Sequence, residues 1–348
     1  MQVEEAQWEY RPLRLIVKTF KIHKTSSKPL ARGTVRKPLH SNPNDVSPLY
    51  ERVDRTGRVR KCYRRVLGYI STRYRTWIPL AFRVRNILRR SSFVAVNVDG
   101  IAFKLRPKGE IACGAWSGRG FERCELAFTL GVIDPAMTFF DVGANVGLFS
   151  LAVGGKYRGC GVRIYGFEPC KQTFKIFQDN IHLNGLTNVS AVRTALSDRI
   201  GQGILQLNSD FRDGLNTLGN PSHPASRVVG VESVPLTTID DFVATNRIER
   251  VDVMKVDVEG AELSVFNGAR GLLSRQDGPL ILYESYGWCT AQFGYHPVEI
   301  IWLLREYGYE LFTINRRDTS LCHRSAHTYD AIFVAMKTGD SRFAHLLH

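Results

Sequence analysis

The chain has 348 residues, 44% of them apolar, and a formal net charge of +14. Such a length fits one large domain with an extension, and the apolar share is enough for a full core, which excludes a chain too polar to fold. The charge is local: residues 1–90 hold 22 Lys and Arg against 6 Asp and Glu, the remaining 258 hold 25 against 27, and the body is therefore slightly acidic.

The first segment, residues 1–61, reads as a flexible basic tail. It starts with MQVEEAQWEYRPLRLIVKTFK, which has acids first and no apolar h-region. Residues 62–90 change character. Tyr63, Val66, Leu67, Ile70, Tyr74, Trp77 and Ile78 recur at helical spacing among arginines, so a basic amphipathic helix is expected, kinked or split at Pro79. Its basic face suits simple solvation, an anionic membrane surface or nucleic acid; solvation is the first reading and nucleic acid the last. Seven scattered cysteines without a CxxC pair point to reduced thiols in a cytoplasmic protein, and no run approaches the ~18 apolar residues of a membrane span. The oligomeric state is not readable.

Residues 91–135 should form a hairpin and helix cap. FVAVNVDGIAFKL places two apolar runs around Asp99-Gly100, and a short helix is expected from Phe121 to Leu130. From 136 to 340 strands and helices alternate. Strands are expected at Thr138–Val142, Arg163–Phe167, Val189–Arg193, Val251–Val256, Leu280–Tyr283, Glu310–Ile314 and Ala331–Ala335. Helices are expected at 145–154, 171–184, 239–245, 260–274 and 297–307. This is the pattern of an α/β, doubly wound parallel sheet that binds ligands beyond its C-terminal strand ends. The last two strands lack a helical crossover and should be an antiparallel pair.

The first strand-to-helix turn reads FFDVGANVGLFS. A dinucleotide fingerprint needs G-x-G-x-x-G, but Asn145 and Leu148 stand at its second and third glycine positions. Asp141, Gly143, Asn145 and Gly147 still give an acid, a tight turn and bare backbone. Such a loop suits an adenosine ligand with an amino-acid portion and no phosphates, as in S-adenosylmethionine. The second strand ends in YGFEP, where Glu168 is placed to accept hydrogen bonds from both ribose hydroxyls. After the third strand, ALSD brings Ser197 or Asp198 near where an adenine edge would lie.

These residues, with Asn180 and Asn184 in DNIHLNG, TTIDD (237–241) and MKVDVEGAE (254–262), resemble the FkbM family of S-adenosylmethionine-dependent methyltransferases over roughly residues 115–336. The resemblance implies the class I methyltransferase fold, a Rossmann-like, seven-stranded, mostly parallel sheet with the last strand antiparallel. It also implies methyl transfer to oxygen, often on sugars, glycolipids or related natural products, so a small-molecule or glycan acceptor. An RNA methyltransferase using the basic extension is the alternative.

Lys255, Asp257 and Glu259 share a parity along the fourth strand and its turn. A carboxylate there can relieve an acceptor hydroxyl of its proton; Asp257 is the first candidate base and Glu259 the second. Lys255 reads as an ion-pair partner of one of these acids. Glu284, in LILYES, is a candidate acceptor contact. Glu122 reads as a helix N-terminal charge that the resemblance favours slightly as a site residue. A divalent ion on Asp257, Glu259 and Glu284 would suit hard oxygen ligands, but no fixed spacing demands one and no metal is expected. The polar loop 208–227 could form a lid, and Trp116, His223 and Trp288 could line an acceptor cleft. Cys322, His323 and His327 lack a second ligand pair and read as surface loop.

Overall fold

The computed structural model describes residues 15–16, 94–98, 100–106, 122–208, 213–220, 227–325, 328–329 and 331–347. Nearly all of the expected tail and the whole expected helix 62–90 lie outside these residues, as do Trp116, His223 and His327.

The cap opens with three antiparallel strands. β1 (Leu15–Ile16) pairs with β2 (Val94–Val98), and β2 pairs with β3 (Ile101–Leu105) around the expected Gly100 turn. Helix α1 (Arg123–Val132) follows.

The body is one eight-stranded sheet. Five parallel strands run β6 (Val189–Val192), β5 (Arg163–Phe167), β4 (Thr138–Val142), β10 (Val253–Val256), β11 (Leu280–Ser285). β14 (Ala331–Lys337) joins antiparallel to β11, and β12 (Tyr309–Ile314) antiparallel to β14. This is the class I methyltransferase-like, mostly parallel sheet with antiparallel final strands expected from the sequence, with one addition. Residues Leu321–His323, expected as surface loop, form β13, an eighth strand paired to β12. Thr313, Phe312 and Ile314 give it a register that three residues of LCH alone do not announce.

Both faces of the sheet are covered. On one face α1, α2 (Leu148–Lys156) and α3 (Lys171–Asn184) pack with β3; on the other lie α4 (Ile239–Thr245), α5 (Glu262–Asn267), α6 (Arg270–Ser274) and α7 (Val298–Glu306). The segment 260–274, expected as one helix, is two, because the chain turns at Gly268 where Ser197 O would stand 2.0 Å from an added Cβ. Central β4 is buried along its whole length, Phe139 in one core and Phe140 in the other, as a parallel strand between two helical layers requires.

A third sheet was not expected. β8 (Gly201–Asn208) and β9 (Val228–Thr237) form an antiparallel hairpin, with two-residue β7 (Ala195–Leu196) on its other side. Of the expected lid segment 208–227 only 208, 213–220 and 227 are among the described residues, and Thr217 there bridges back to Gln206.

The asparagines of DNIHLNG fasten the cap to the body. Asn180 accepts from Lys104 N at 2.7 Å and donates to Val146 O at 3.0 Å; Asn184 accepts from Ala102 N at 2.9 Å and donates to Ala102 O at 2.7 Å. They hold β3 and the β4–α2 turn to one helix, so their role is architectural.

Candidate active site

A cavity opens beyond the carboxyl ends of β4, β5, β10 and β11, at the switch in strand order where open α/β sheets bind ligands. One half is formed by the β4–α2 turn, Glu168, Pro169 and residues 194–196. The other is formed by Lys255, Asp257, Val258, Glu259, Glu284, Trp288 and Glu122, and residues 214–218 complete the lining.

The β4 half is made of backbone. Gly143 has φ 82, and an added Cβ would stand 1.8 Å from Asp257 O, so only glycine lets the β4 and β10 turns touch. Gly143 N and Ala144 N both donate to Phe167 O, at 3.0 and 2.9 Å. Asn145 is also left-handed, at φ 51, and its N–H donates to Glu168 Oε2 at 3.1 Å. Glu168 Oε1 accepts from Cys170 N at 2.8 Å. The carboxylate expected at the end of the second strand thus lines the cavity and is held by two backbone donors. Asn145 Oδ1 is buried with no partner among the described residues.

Asp141 and Gly147 do not line the cavity. Asp141 Oδ2 accepts from Ser150 N at 2.9 Å and Ser150 Oγ at 2.6 Å, which anchors the first turn of α2. Burial pushes its pKa up, and the Lys255 ammonium opposes that. At Gly147, φ 92, an added Cβ would come within 2.4 Å of Leu151 and Phe177 side-chain carbons, so this glycine serves helix packing. Ser197 and Asp198, expected at an adenine edge, also lie outside the lining. The pairing of β7 with β9 carries the chain away there: Ser197 N donates to Thr237 O, and Asp198 pairs with Arg199 at the surface. Thr194, Ala195 and Leu196 line the cavity instead.

The β10–β11 half is made of charge. Glu262 Oε1 accepts from Val258 N and Gly260 N at 3.2 and 3.1 Å, which folds the VEG turn and presents Glu259, left-handed at φ 55. Lys255 Nζ lies 2.9 Å from Asp257 Oδ2 and 3.9 Å from Glu122 Oε2, and 4.6 Å from the centre of the Phe149 ring. The expected ion pair is present, and two acids share it. Burial alone would lower the Lys255 pKa, but Asp257, Glu122 and Asp141 together hold it above its ordinary value.

The carboxylates are pushed the same way. Burial, then the neighbouring charges of Asp257 and Glu122, raises Glu284 to about 9. Burial, only partly offset by Lys255, raises Glu122 to about 7. Burial, then Asp257 and Glu284, holds Glu259 well above the carboxylate range. Carboxylate oxygens of Glu122, Asp257 and Glu284 lie within 4.8 Å of one another. The acidic cluster is thus Glu122 with Asp257 and Glu284, not the Asp257, Glu259, Glu284 set considered for a divalent ion. Glu259 faces Cys289 instead, with Oε2 3.6 Å from its Sγ. Glu122 was underweighted in the sequence because its single signal is its place before α1; that it points across to β10 is a tertiary fact.

Residues 141–311 match the family model described as the Methyltransferase FkbM domain. Methyltransferase 1 of Beauveria bassiana (strain ARSEF 2860) is 30% identical over 142 residues, covering 37% of this chain and 56% of that protein. Methyltransferase sdnD of Sordaria araneosa is 30% identical over 153 residues, covering 37% and 58%. The chain thus spans rather more than half the length of the curated relatives it matches. A solved methyltransferase FkbM from Methylobacillus flagellatus KT aligns with a TM-score of 0.37 and 14% identity over 64% of this chain and 54% of that one.

Proposed function

We propose that the protein is an S-adenosylmethionine-dependent O-methyltransferase acting on a hydroxyl of a sugar, glycolipid or related natural product. The observation that carries this reading is the pairing of a glycine-and-backbone cradle, closed by Glu168, with a wall of carboxylates across the same cavity. The cradle fits the cofactor. Gly143 leaves room that any side chain would fill, Asn145 Oδ1 is a buried acceptor awaiting a donor, and Glu168 stands where ribose hydroxyls would be bound. When bound, S-adenosylmethionine supplies an electrophilic methyl group on a sulfonium.

The chain's residues supply the rest. Both turns are pinned by backbone bonds, which holds the two reactants in line, the main source of rate expected for such a transfer. Asp257 is the candidate base. Lys255 takes its Oδ2 and leaves Oδ1 to accept the acceptor's proton. Glu284, at the end of β11, is placed to orient the acceptor, and Trp288 offers an aromatic face in the same lining. Both similar fungal proteins are described as methyltransferases. The basic segment 62–90 suits peripheral contact of a cytoplasmic protein with an anionic membrane; among the described residues no helix is long and apolar enough to cross one.

Methyl transfer from labelled S-adenosylmethionine into a fractionated cell extract tests the reading. Label in the glycan or glycolipid fraction is expected. Label confined to RNA would replace it with the RNA-methyltransferase alternative.

A further inference from the structure

Glu122 occupies the first position before α1, where an acid ordinarily turns back to the free helix N–H groups. It does not: its side chain makes no cap bond, and its backbone is left-handed, at φ 46. Non-glycine residues adopt that conformation at a cost, and such strain gathers at functional positions. The carboxylate is delivered instead to the junction of β4 and β10, 3.9 Å from Lys255 Nζ, which itself lies over Phe149 of α2. Glu122 thus lines the same cavity as the cofactor cradle.

The cluster's charge does not balance. Lys255 and Asp257 from β10, Asp141 from β4, Glu125 from α1 and Glu284 from β11 all act on Glu122, and Lys255 is the one cation among them. Its ammonium is shared by Asp257 at 2.9 Å and Glu122 at 3.9 Å. Three carboxylates whose oxygens come within 4.8 Å of one another therefore need either bound protons or another positive charge.

We propose that Glu122 is a cofactor-selecting residue: it holds a proton in the cofactor-free cavity and releases it to solvent when the positively charged sulfonium enters, so that its carboxylate favours the methyl donor over the neutral thioether product. This rests on the cofactor reading above. Release at neutral pH also agrees with the rise of the Glu122 carboxyl to about 7, whereas Glu284, at about 9, keeps its proton more firmly. The consequence is selective: the product left after methyl transfer no longer carries the charge that stabilises ionised Glu122, and binding it becomes less favourable.

The test is calorimetry of the full chain with S-adenosylmethionine and with S-adenosylhomocysteine from pH 6 to pH 8. The amino and carboxyl groups of the two ligands are alike, so the ratio of their affinities isolates the sulfonium. In the wild type the preference for S-adenosylmethionine should rise with pH, by up to about tenfold per pH unit below the titration. Glu122→Gln should flatten that rise and Glu122→Asp should keep it. A wild-type preference equal at pH 6 and pH 8 overturns the inference without any variant. So does a Glu122→Gln protein with the wild-type slope, or magnesium or manganese chloride titrated alone that binds the wild type and not Glu122→Gln. If neither adenosyl ligand binds at any pH, the cofactor reading itself falls.

Discussion

The two halves of the cavity are built on opposite principles. At the β4 turn the polar groups are mostly backbone and mostly paired: Gly143 N and Ala144 N on Phe167 O, Asn145 N and Cys170 N on Glu168. Across from it, Glu122, Asp257, Glu259 and Glu284 line one wall with a single lysine, and the proton affinities of Glu122, Glu259 and Glu284 are raised by burial and by neighbouring charges. A fixed, satisfied backbone gives a binding surface that costs nothing to reorganise, while partly buried and under-compensated carboxylates are reactive toward protons and cations. The first half is suited to holding a ligand and the second to changing one.

If that division is right, a substitution that pushes the halves apart should do the most harm. Gly143→Ala places a methyl group 1.8 Å from Asp257 O at φ 82. The turns must separate, and a loss of about 3–4 kcal/mol is expected, with cofactor binding lost as well. Urea unfolding reads the first and calorimetry the second; a protein of normal stability would mean the turns do not depend on each other.

Next in size is Asp257→Asn, which keeps shape and removes basicity and the Lys255 pair. Turnover should fall by about 10²–10⁴-fold while cofactor affinity changes little. Near-normal turnover at saturating acceptor would move the proton transfer to Glu284. Smaller again, Glu168→Ala should weaken S-adenosylmethionine binding by roughly 10- to 100-fold, the loss of hydrogen bonds to a charged acceptor at about 1.5–3 kcal/mol. Unchanged affinity on folded protein would take Glu168 out of the site.

The same contrast explains what could be read from the sequence. Seven strands of the main sheet, the α3 and α4 boundaries and the placement of Gly143, Asn145, Glu168, Asp257, Glu259 and Glu284 on one cavity follow from local pattern, because parallel strands are continuous apolar runs that end in a turn. The β8–β9 hairpin was not legible. GQGILQLN mixes glycine with polar residues, and Ile204, Val229 and Val231 face solvent, so no clean alternation marks a buried face. Its pairing with β7 in turn displaces Ser197 and Asp198 from the cavity. Asp141 and Gly147 belong to the recognised motif yet serve the α2 turn and its packing, since sequence spacing alone does not tell a ligand contact from support beneath it. The place of Glu122 depends on how α1 meets β10, a relation that local pattern does not encode.

The last prediction concerns stability against pH, and it isolates the charged half. Glu284 titrates at about 9 in the folded protein against an ordinary value of 4.5. Between those pH values the folded chain binds a proton that the unfolded chain has lost, so this group makes stability fall as pH rises from 5 to 9. Glu284→Gln has no proton to lose. Its urea midpoint should therefore decline less over that interval than the wild type's, with the gap between the two curves growing as pH rises. If Glu284→Gln and wild type decline in parallel, Glu284 is ionised throughout, the charge in this half is already compensated, and the contrast between the halves would rest on geometry alone.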